Sequence, residues 1–239
     1  MSRRCLHIQR DNVFYLFKTI TMADNYLEKR YDEVFGSGKP RVKRIGHPLD
    51  DLLKRNRSCR GYNKAFVVSE AMLQQIVGVC TKIPSARNQQ VLRFRLVTKG
   101  TDAECVLQQV KMGAALPDLH LPFPGTEPEA FIIVCSTIPE NPMVDIDLGI
   151  AAQSMLLKAT EMGLNGLIIE AFSRSVLKEG LQLPLEPLMV IAIGKSAEKF
   201  ELQPINANDP HAYFRNEDGT HCIPKVRLEE LLISRNEEQ

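Results

Sequence analysis

One stretch of the chain decides the fold: residues 145–172 read DIDLGIAAQSMLLKATEMGLNGLIIEAF. Its apolar residues recur at intervals of four and three, which is the spacing of one face of a helix: Leu148, Ala152, Met155, Ala159 and Met162. Asp145 and Asp147 place negative charge where the N-terminus of a helix favours it. We therefore predict a buried helix over residues 146–162, ended by Gly163 in the left-handed conformation.

Several sides of this predicted helix carry only short side chains, which lets another helix pack closely against it. These residues are Gly149, Ala151, Ala152, Ser154 and Ala159. Residues 166–170 are predicted as a short buried strand, because Leu-Ile-Ile is β-rich and follows a turn bounded by glycine. An apolar helix that leads directly into a strand is a place where backbone can meet a ligand. The other interpretation is a core helix and strand without a ligand, and this stretch alone leaves both open.

The composition is typical of a globular protein, with 44% hydrophobic and 25% charged residues in 239. Thirty basic and 29 acidic residues give a net charge of +1, which argues against nucleic acid or an acidic membrane as partner. Six scattered cysteines without a CxxC pair indicate reduced thiols in a cytoplasmic protein. The five histidines are equally dispersed, so we expect no protein-held metal.

The first 46 residues are predicted to be an extension of the domain that follows. Residues 1–21 are basic and then apolar, whereas Met22 opens a stretch of mixed charge, so we expect the natural start at Met22. Residues 24–35 suit a short amphipathic helix. The string GSGKP at 36–40 is similar to a phosphate loop, but Pro40 stands where such a loop needs Ser or Thr, so we predict a linker.

A basic segment, KRNRSCR at residues 54–60, follows a helix predicted to begin after Pro48. A basic helix end is commonly a solvated surface that complements the helix dipole. The alternative is an oxyanion clamp, in which Arg57 and Arg60 bind phosphate oxygens and the Ser58 hydroxyl donates a further hydrogen bond. The segment by itself does not separate these alternatives.

A polar loop at residues 84–90 precedes a predicted strand over 91–97, in which apolar residues alternate with arginine. The loop follows a helix predicted over 70–81 and capped by Ser69. Its amides, Asn88 to Gln90, both donate and accept hydrogen bonds and suit the edge of a pyrimidine-dione. A turn that satisfies its own backbone is the equally open alternative.

The rest of the chain alternates helices and strands. Thr101 to Glu104 has the form of a capping box, which predicts a helix to about residue 115. A proline-rich loop at 116–129 is long enough to cover a site. Further predictions are strands over 130–136 and 188–193, a helix from Ser173 or Ser175 to Gly180, and a turn at 216–219. After that turn, Lys225 and Arg227 share one side of an extended segment.

Five segments in this order resemble the FMN-dependent nitroreductase family. They are residues 57–60 before a helix, residues 84–90 before a strand, the helix that ends at Gly163, residues 168–172 and residues 224–228. Each alone is a weak signal, but five in the same order over residues 47–239 are specific. The resemblance implies an α+β, nitroreductase-like fold with a central mixed, mainly antiparallel sheet flanked by helices. It also implies a homodimer with FMN in the interface and the long central helix buried between the subunits.

The resemblance carries ten cofactor-binding residues onto this chain: Arg57, Ser58, Arg60, Pro84, Ser85, Asn88, Glu170, Ala171, Lys225 and Arg227. Arg57, Ser58 and Arg60 match residues that bind the phosphate and the pyrimidine edge. Lys225 and Arg227 match C-terminal phosphate binders. Pro84, Ser85 and Asn88 match a loop that lines the flavin of the other subunit. Glu170 and Ala171 match positions whose backbone N–H groups face flavin N5. No side chain is assigned a catalytic role, because the hydride chemistry belongs to the cofactor.

The sequence departs from the family pattern in three places. Asn56 stands where an arginine is common, so that one phosphate contact is lost or taken over by Arg55. The loop continues Gln90-Val91-Leu92 where Gln-Pro-Trp is common, which removes an aromatic wall. The loop at 116–129 aligns with no flavin-binding segment of the family.

The activity that the resemblance implies is an NAD(P)H oxidoreductase, which passes electrons through FMN N5 to nitroaromatic, quinone or similar acceptors. The absence of a Ser/His/Asp or Cys/His arrangement agrees with it, because no side-chain nucleophile is needed. One alternative is a different FMN reaction, such as dehalogenation, azole oxidation or enoate reduction. Another is a flavin-binding redox sensor or storage protein with negligible turnover. A last one is an anion-binding protein whose two basic pairs are unconnected.

Overall fold

The computed structural model describes residues 48–113 and 119–233. The predictions for the N-terminal extension, including the start at Met22, the helix over 24–35 and the linker at 36–40, concern residues outside this range. The domain boundary between residues 46 and 47 therefore stays a prediction.

Six α-helices and seven strands make up the described domain. The helices are α1 (Leu49–Arg55), α2 (Glu70–Val77), α3 (Ala103–Gln109), α4 (Pro142–Glu161), α5 (Arg174–Gly180) and α6 (Leu228–Leu231). The strands are β1 (Leu92–Val97), β2 (Phe131–Ser136), β3 (Asn165–Ile169), β4 (Glu186–Gly194), β5 (Phe200–Ile205), β6 (Phe214–Arg215) and β7 (His221–Val226). Short 3₁₀ turns span Gly78–Thr81 and Ala86–Asn88.

The central sheet has the strand order β1-β2-β4-β3, and every neighbouring pair is antiparallel. All six residues of β2 are buried, because helices cover both faces of the sheet. Successive residues of β2 face opposite cores: Ile132 packs in a cluster with α2 and α4, whereas Ile133 packs in a cluster with α3 and α5. The sheet is thus the middle layer of three, and the predicted α+β class is confirmed.

The central helix α4 begins four residues earlier than the sequence pattern predicts. Asn141 caps it, since its side-chain oxygen accepts hydrogen bonds from the N–H groups of Met143 at 3.0 Å and Val144 at 3.4 Å. Proline at the first helical position needs no hydrogen-bond partner for its nitrogen. The prediction that Asp147 lies at the helix N-terminus is therefore wrong, because it lies in the second turn. Gly163 has a φ of 77°, which confirms the predicted left-handed end.

Two other predicted helices are shorter in the structure. The helix capped by Ser69 ends at Val77 and continues as a 3₁₀ turn to Thr81. The predicted capping box is wrong, because the Thr101 hydroxyl bonds the backbone of Thr98 instead of the helix. Helix α3 ends at Gln109, and Val110 then pairs with Phe172 as an isolated bridge.

A second, three-stranded sheet has the order β5-β7-β6. Strands β5 and β7 are parallel, and β6 and β7 form the hairpin predicted around residues 216–219. This small sheet holds Lys225 within β7. No helix in the described part of the chain has the length and apolar character needed to cross a membrane.

Candidate functional site

The basic segment after α1 is held as an added edge beside β3. The N–H of Cys59 donates to the carbonyl of Gly166 at 3.0 Å, and Ser58 forms a parallel bridge with Gly166. Asn165 fixes the preceding residues, because its Oδ1 accepts from the N–H of Arg57 at 3.0 Å while its Nδ2 donates to the Arg55 carbonyl at 2.9 Å. The backbone of the segment is therefore in a fixed, extended position, not a loose loop.

A cavity of about 340 Å³ lies against this segment. Arg57, Ser58 and Arg60 line one part of it, and Lys225 reaches it from β7. No acidic residue is among the described residues that line the cavity, so the cations create a local positive potential in a chain that is nearly neutral overall. The cavity therefore brings both arginines of the first basic pair together with Lys225 of the second.

The two arginines have unused donors. The Nε atoms of Arg57 and Arg60 are buried and have no hydrogen-bond partner among the described residues. Burial lowers the pKa of Arg57, and its Nη2 donates to the Leu53 carbonyl at 2.5 Å. Arg60 donates to the Tyr213 hydroxyl at 3.2 Å and lies over the Tyr213 ring, 4.8 Å from its centroid. Buried guanidinium N–H groups without acceptors fit an anionic ligand with several oxygens.

Asn56 has a structural role in place of the common arginine. Its Nδ2 donates to Thr160 Oγ1 at 3.2 Å, and its Oδ1 accepts from Gln153 Nε2 at 3.3 Å. These bonds attach the end of α1 to α4, and the side chain is buried. Arg55 does not line the cavity and forms an ion pair with Asp51 at 3.0 Å. It therefore does not take over the missing contact in the described structure.

The segment that follows β3 leads away from the cavity. Ile168 of β3 lines the cavity, and Glu170 and Ala171 follow the end of the strand at Ile169. Glu170 and Ala171 are exposed. The Ala171 carbonyl accepts from the N–H of Lys111 at 2.9 Å, whereas the N–H groups of Glu170 and Ala171 donate no hydrogen bond among the described residues. These two N–H groups are thus available to a ligand, although neither residue lines the cavity.

The loop with Pro84, Ser85 and Asn88 lies at a different place. Pro84 and Ser85 line a second cavity of about 320 Å³, together with Asp147 of α4. Asp147 Oδ1 accepts from the N–H of Ala86 at 2.7 Å and so ties the loop to the central helix. Much of the loop's remaining polarity is satisfied internally, for instance by Gln90 Nε2 donating to Asn88 Oδ1 at 3.1 Å. Within one chain, the structure does not bring this loop to the cationic cavity.

Arg227 also lies outside the cationic cavity, because its Nη1 donates to Asn206 Oδ1 at 2.6 Å. Of the ten predicted residues, four line the cavity together: Arg57, Ser58, Arg60 and Lys225. Tyr213, just before β6, and His221, in β7, also line the cavity and were not predicted from the sequence. Their only sequence signal is that they flank the turn that precedes Lys225.

The family assignment comes from comparison with known proteins. The nitroreductase family model matches residues 53–195. No curated protein sequence matches the chain. Among solved structures, an FMN-dependent nitroreductase from Clostridium difficile R20291 is 22% identical, with a TM-score of 0.50 over 62% of this chain and 87% of that chain.

Two other structures are similar over a comparable span. One, described as a nitroreductase in complex with FMN, from Desulfovibrio desulfuricans, is 20% identical and has a TM-score of 0.54 over 64% of this chain and 88% of that chain. The other, described as an NADH dehydrogenase/NAD(P)H nitroreductase, from Bacteroides thetaiotaomicron, is 24% identical and has a TM-score of 0.53 over 69% and 94%. At these identities the similarity shows a shared fold. Because the family model covers more than half of the sequence, the chain belongs to the nitroreductase family.

Proposed function

We propose that this protein is an FMN-dependent oxidoreductase that takes electrons from NAD(P)H and gives them to nitroaromatic, quinone or similar acceptors. The observation that carries the proposal is the convergence of Arg57, Arg60 and Lys225, from distant parts of the chain, on one cavity that no acidic residue of the described chain lines. Membership of the nitroreductase family and the FMN named for two of the similar structures support the same cofactor.

The cavity fits the phosphate end of FMN. A phosphate monoester carries nearly two negative charges at neutral pH and three acceptor oxygens. These oxygens could accept hydrogen bonds from the Nε atoms of Arg57 and Arg60, which have no partner in the described chain, from the ammonium of Lys225 and from the hydroxyl of Ser58. Arg227 joins this set if its side chain leaves Asn206, a single hydrogen bond between exposed groups.

The remaining predicted residues would act on the ring end of the cofactor. Glu170 and Ala171 would offer their N–H groups, which donate no hydrogen bond among the described residues and follow the cavity residue Ile168 closely along the chain. Pro84, Ser85 and Asn88 would come from a second subunit, because within one chain none of them lines the cationic cavity and the first two line a separate one. Homodimerisation is therefore part of the proposal.

When bound, FMN supplies two-electron transfer chemistry, and the protein contributes position and electrostatic field. The cations of the cavity would hold the phosphate end of FMN and so fix the position of its ring. The hydrogen bonds of Asn165 with the backbone of Arg55 and Arg57 hold this segment in place beside the cavity. No side-chain nucleophile is required.

The absorption spectrum of the purified protein tests the proposal. We expect flavin absorbance that NADPH or NADH bleaches under anaerobic conditions and that a nitroaromatic or quinone acceptor restores. Bound flavin that neither nicotinamide reduces would instead favour the sensor or storage function. Colourless protein that also rejects added FMN would show that the proposal is wrong.

Substitutions in the cavity test the binding site separately. We expect the double substitution Arg57→Ala and Lys225→Ala to weaken FMN binding by about a hundredfold or more, because two charge-assisted contacts are lost. Lys82→Ala is the matched control, since Lys82 is an exposed cation outside the cavity. Circular dichroism would establish that both variants are folded. Equal FMN affinity in the double variant and the control would contradict this phosphate site.

A further inference from the structure

His221 is a buried residue whose ring nitrogens form no hydrogen bond within the described part of the chain. It is the first residue of β7, and its side chain is 2% exposed. Neither Nδ1 nor Nε2 has a hydrogen-bond partner among the described residues, although both atoms are buried. Buried polar groups in folded proteins are nearly always hydrogen-bonded, so an imidazole in this state indicates that a partner is to be supplied from elsewhere.

The imidazole belongs to the wall of the cationic cavity. His221 lines that cavity together with Arg57, Arg60 and Lys225. Its position is fixed, because the backbone N–H of His221 donates to the Lys199 carbonyl at 2.9 Å. The aromatic rings of Phe200 and Tyr213 pack beside the imidazole, with centroids 5.6 and 5.0 Å away.

The charges around His221 identify the kind of partner that is missing. Burial lowers the pKa of His221; Glu198 acts in the opposite direction, whereas Arg60 and Arg215 lower it further. Glu198 is already engaged, since its carboxylate accepts from the backbone N–H of Arg60 at 2.6 Å and pairs with Arg215. The ring is therefore neutral at pH 7, carries one N–H donor and faces a cavity rich in cations. An oxyanion is the partner that all of these groups can share.

We propose that His221 is a cofactor-binding residue that donates an imidazole N–H to a phosphate oxygen of FMN, alongside Arg57, Arg60 and Lys225. This inference rests on the proposed function and adds a residue to its site. Tyr213 is partly exposed and is tethered through its hydroxyl to Arg60 at 3.2 Å. When the Arg60 guanidinium turns to the phosphate, that hydrogen bond is given up, the Tyr213 side chain is released, and the imidazole is open to the same anion.

Two flavins and three variants test the proposal. The probes are FMN and riboflavin, which lacks the phosphate, and binding is followed by quenching of flavin fluorescence. His221→Phe keeps a ring but removes the donor, and we expect it to weaken FMN binding by about tenfold or more while riboflavin binding stays unchanged. His221→Gln retains an N–H donor and should restore part of the loss. Cys222→Ala, a buried neighbour outside the cavity, should match the wild-type protein for both flavins.

The pH dependence of FMN affinity gives a readout that a packing role would not affect. A phosphate oxygen next to the imidazole favours its protonated form, so binding is strengthened as the pH falls and the bound His221 takes up a proton. Protonation of the phosphate of free FMN is common to all variants and therefore cancels in a ratio. We therefore expect the ratio of the FMN dissociation constant of His221→Gln to that of wild type to rise between pH 8 and about pH 5.5.

Several results would overturn the inference. They are unchanged FMN affinity in a folded His221→Phe protein, an equal loss for FMN and riboflavin, or a dissociation-constant ratio that does not change with pH. If His221→Phe does not fold, nitrogen-15 NMR of the histidine-labelled wild type decides, because the imidazole shifts should change on adding FMN and not on adding riboflavin. Failure of the wild type to bind FMN at all would contradict the proposed function instead, so the two failures are distinguishable.

Discussion

At the scale of single residues, the ion pair of Lys64 and Glu127 shows how local contacts change the pKa of a carboxyl group. Lys64 Nζ lies 2.6 Å from Glu127 Oε2, and the N–H of Gly125 donates to Glu127 Oε1 at 3.0 Å. The hydrogen bond from Lys64, followed by the backbone hydrogen bonds, lowers the pKa of Glu127 from 4.5 to about 2. The folded state thus keeps this carboxylate ionised at a pH where the unfolded chain binds a proton.

This pair predicts a pH-dependent loss of stability. Because the folded-state pKa of Glu127 is depressed, its contribution is present above about pH 4.5 and is lost as the pH falls towards about 2. We expect Glu127→Gln to be less stable than wild type at pH 7, and the difference between them to shrink over that interval. Urea unfolding at a series of pH values measures this difference in the free energy of unfolding. Lys64→Met should reproduce the loss at pH 7, and a difference that does not vary with pH would contradict the prediction.

At the scale of elements, the contact between β3 and its neighbours leaves no room for a side chain at Gly166. A Cβ atom placed there would lie 2.5 Å from the Ala192 carbonyl oxygen and 2.6 Å from Leu156 Cδ2. Real Cβ atoms do not approach other atoms so closely, and one of these neighbours is backbone of β4. The same residue, Gly166, also accepts the hydrogen bond from Cys59 that positions the basic segment.

We therefore expect Gly166→Ala to lower the free energy of unfolding by about 1–3 kcal/mol, because overpacking forces the strand or Leu156 to move. Gly78→Ala is the matched control: its added Cβ has nothing within 4 Å, and its φ of −56° suits alanine. The control should be unchanged or stabilised by about 0.4–1 kcal/mol. Denaturant unfolding measures both, and equal stabilities for the two variants would argue against tight packing at Gly166.

The sequence predicted these elements well where periodicity or a cap was visible. Ser69 and Gly163 have the predicted roles, since a cap and a left-handed end are local properties. The start of α4 could not be predicted from apolar spacing alone, because the Asn141 cap and Pro142 lie ahead of the first buried residue, Val144. The helix expected to reach residue 115 ends at Gln109, since a distant bridge to Phe172 takes over the backbone there.

At the scale of the whole molecule, α4 has an open side. Met143 and Ile146 are 50% and 53% exposed, whereas the opposite side of the helix is buried in the core. The proposed homodimer would cover these apolar side chains. The resemblance to the family singled out Arg57, Arg60 and Lys225, which line one cavity, but the positions of Tyr213 and His221 depend on how the second sheet folds back onto α1. No local pattern in the sequence carries that information.

This open side predicts the effect of one substitution on assembly. We expect the wild-type protein to be a dimer and Ile146→Glu to be a folded monomer, because an unpaired carboxylate is costly to bury in an apolar interface. Light scattering coupled to size-exclusion chromatography measures the mass. Val176→Glu, on the exposed side of α5, is the control and should leave the dimer intact. A wild-type monomer, or a dimer that survives Ile146→Glu, would contradict the predicted interface.

Helix α4 contributes to both cavities: Asp147 lines the second, and Gln153 lines the cationic one. Six residues separate them, which corresponds to about 9 Å of helical rise. The backbone hydrogen bonds of the helix thus keep the distance between these two residues fixed. An insertion or deletion within this stretch would rotate one set of wall residues relative to the other, so both cavities would lose their shape in a single step.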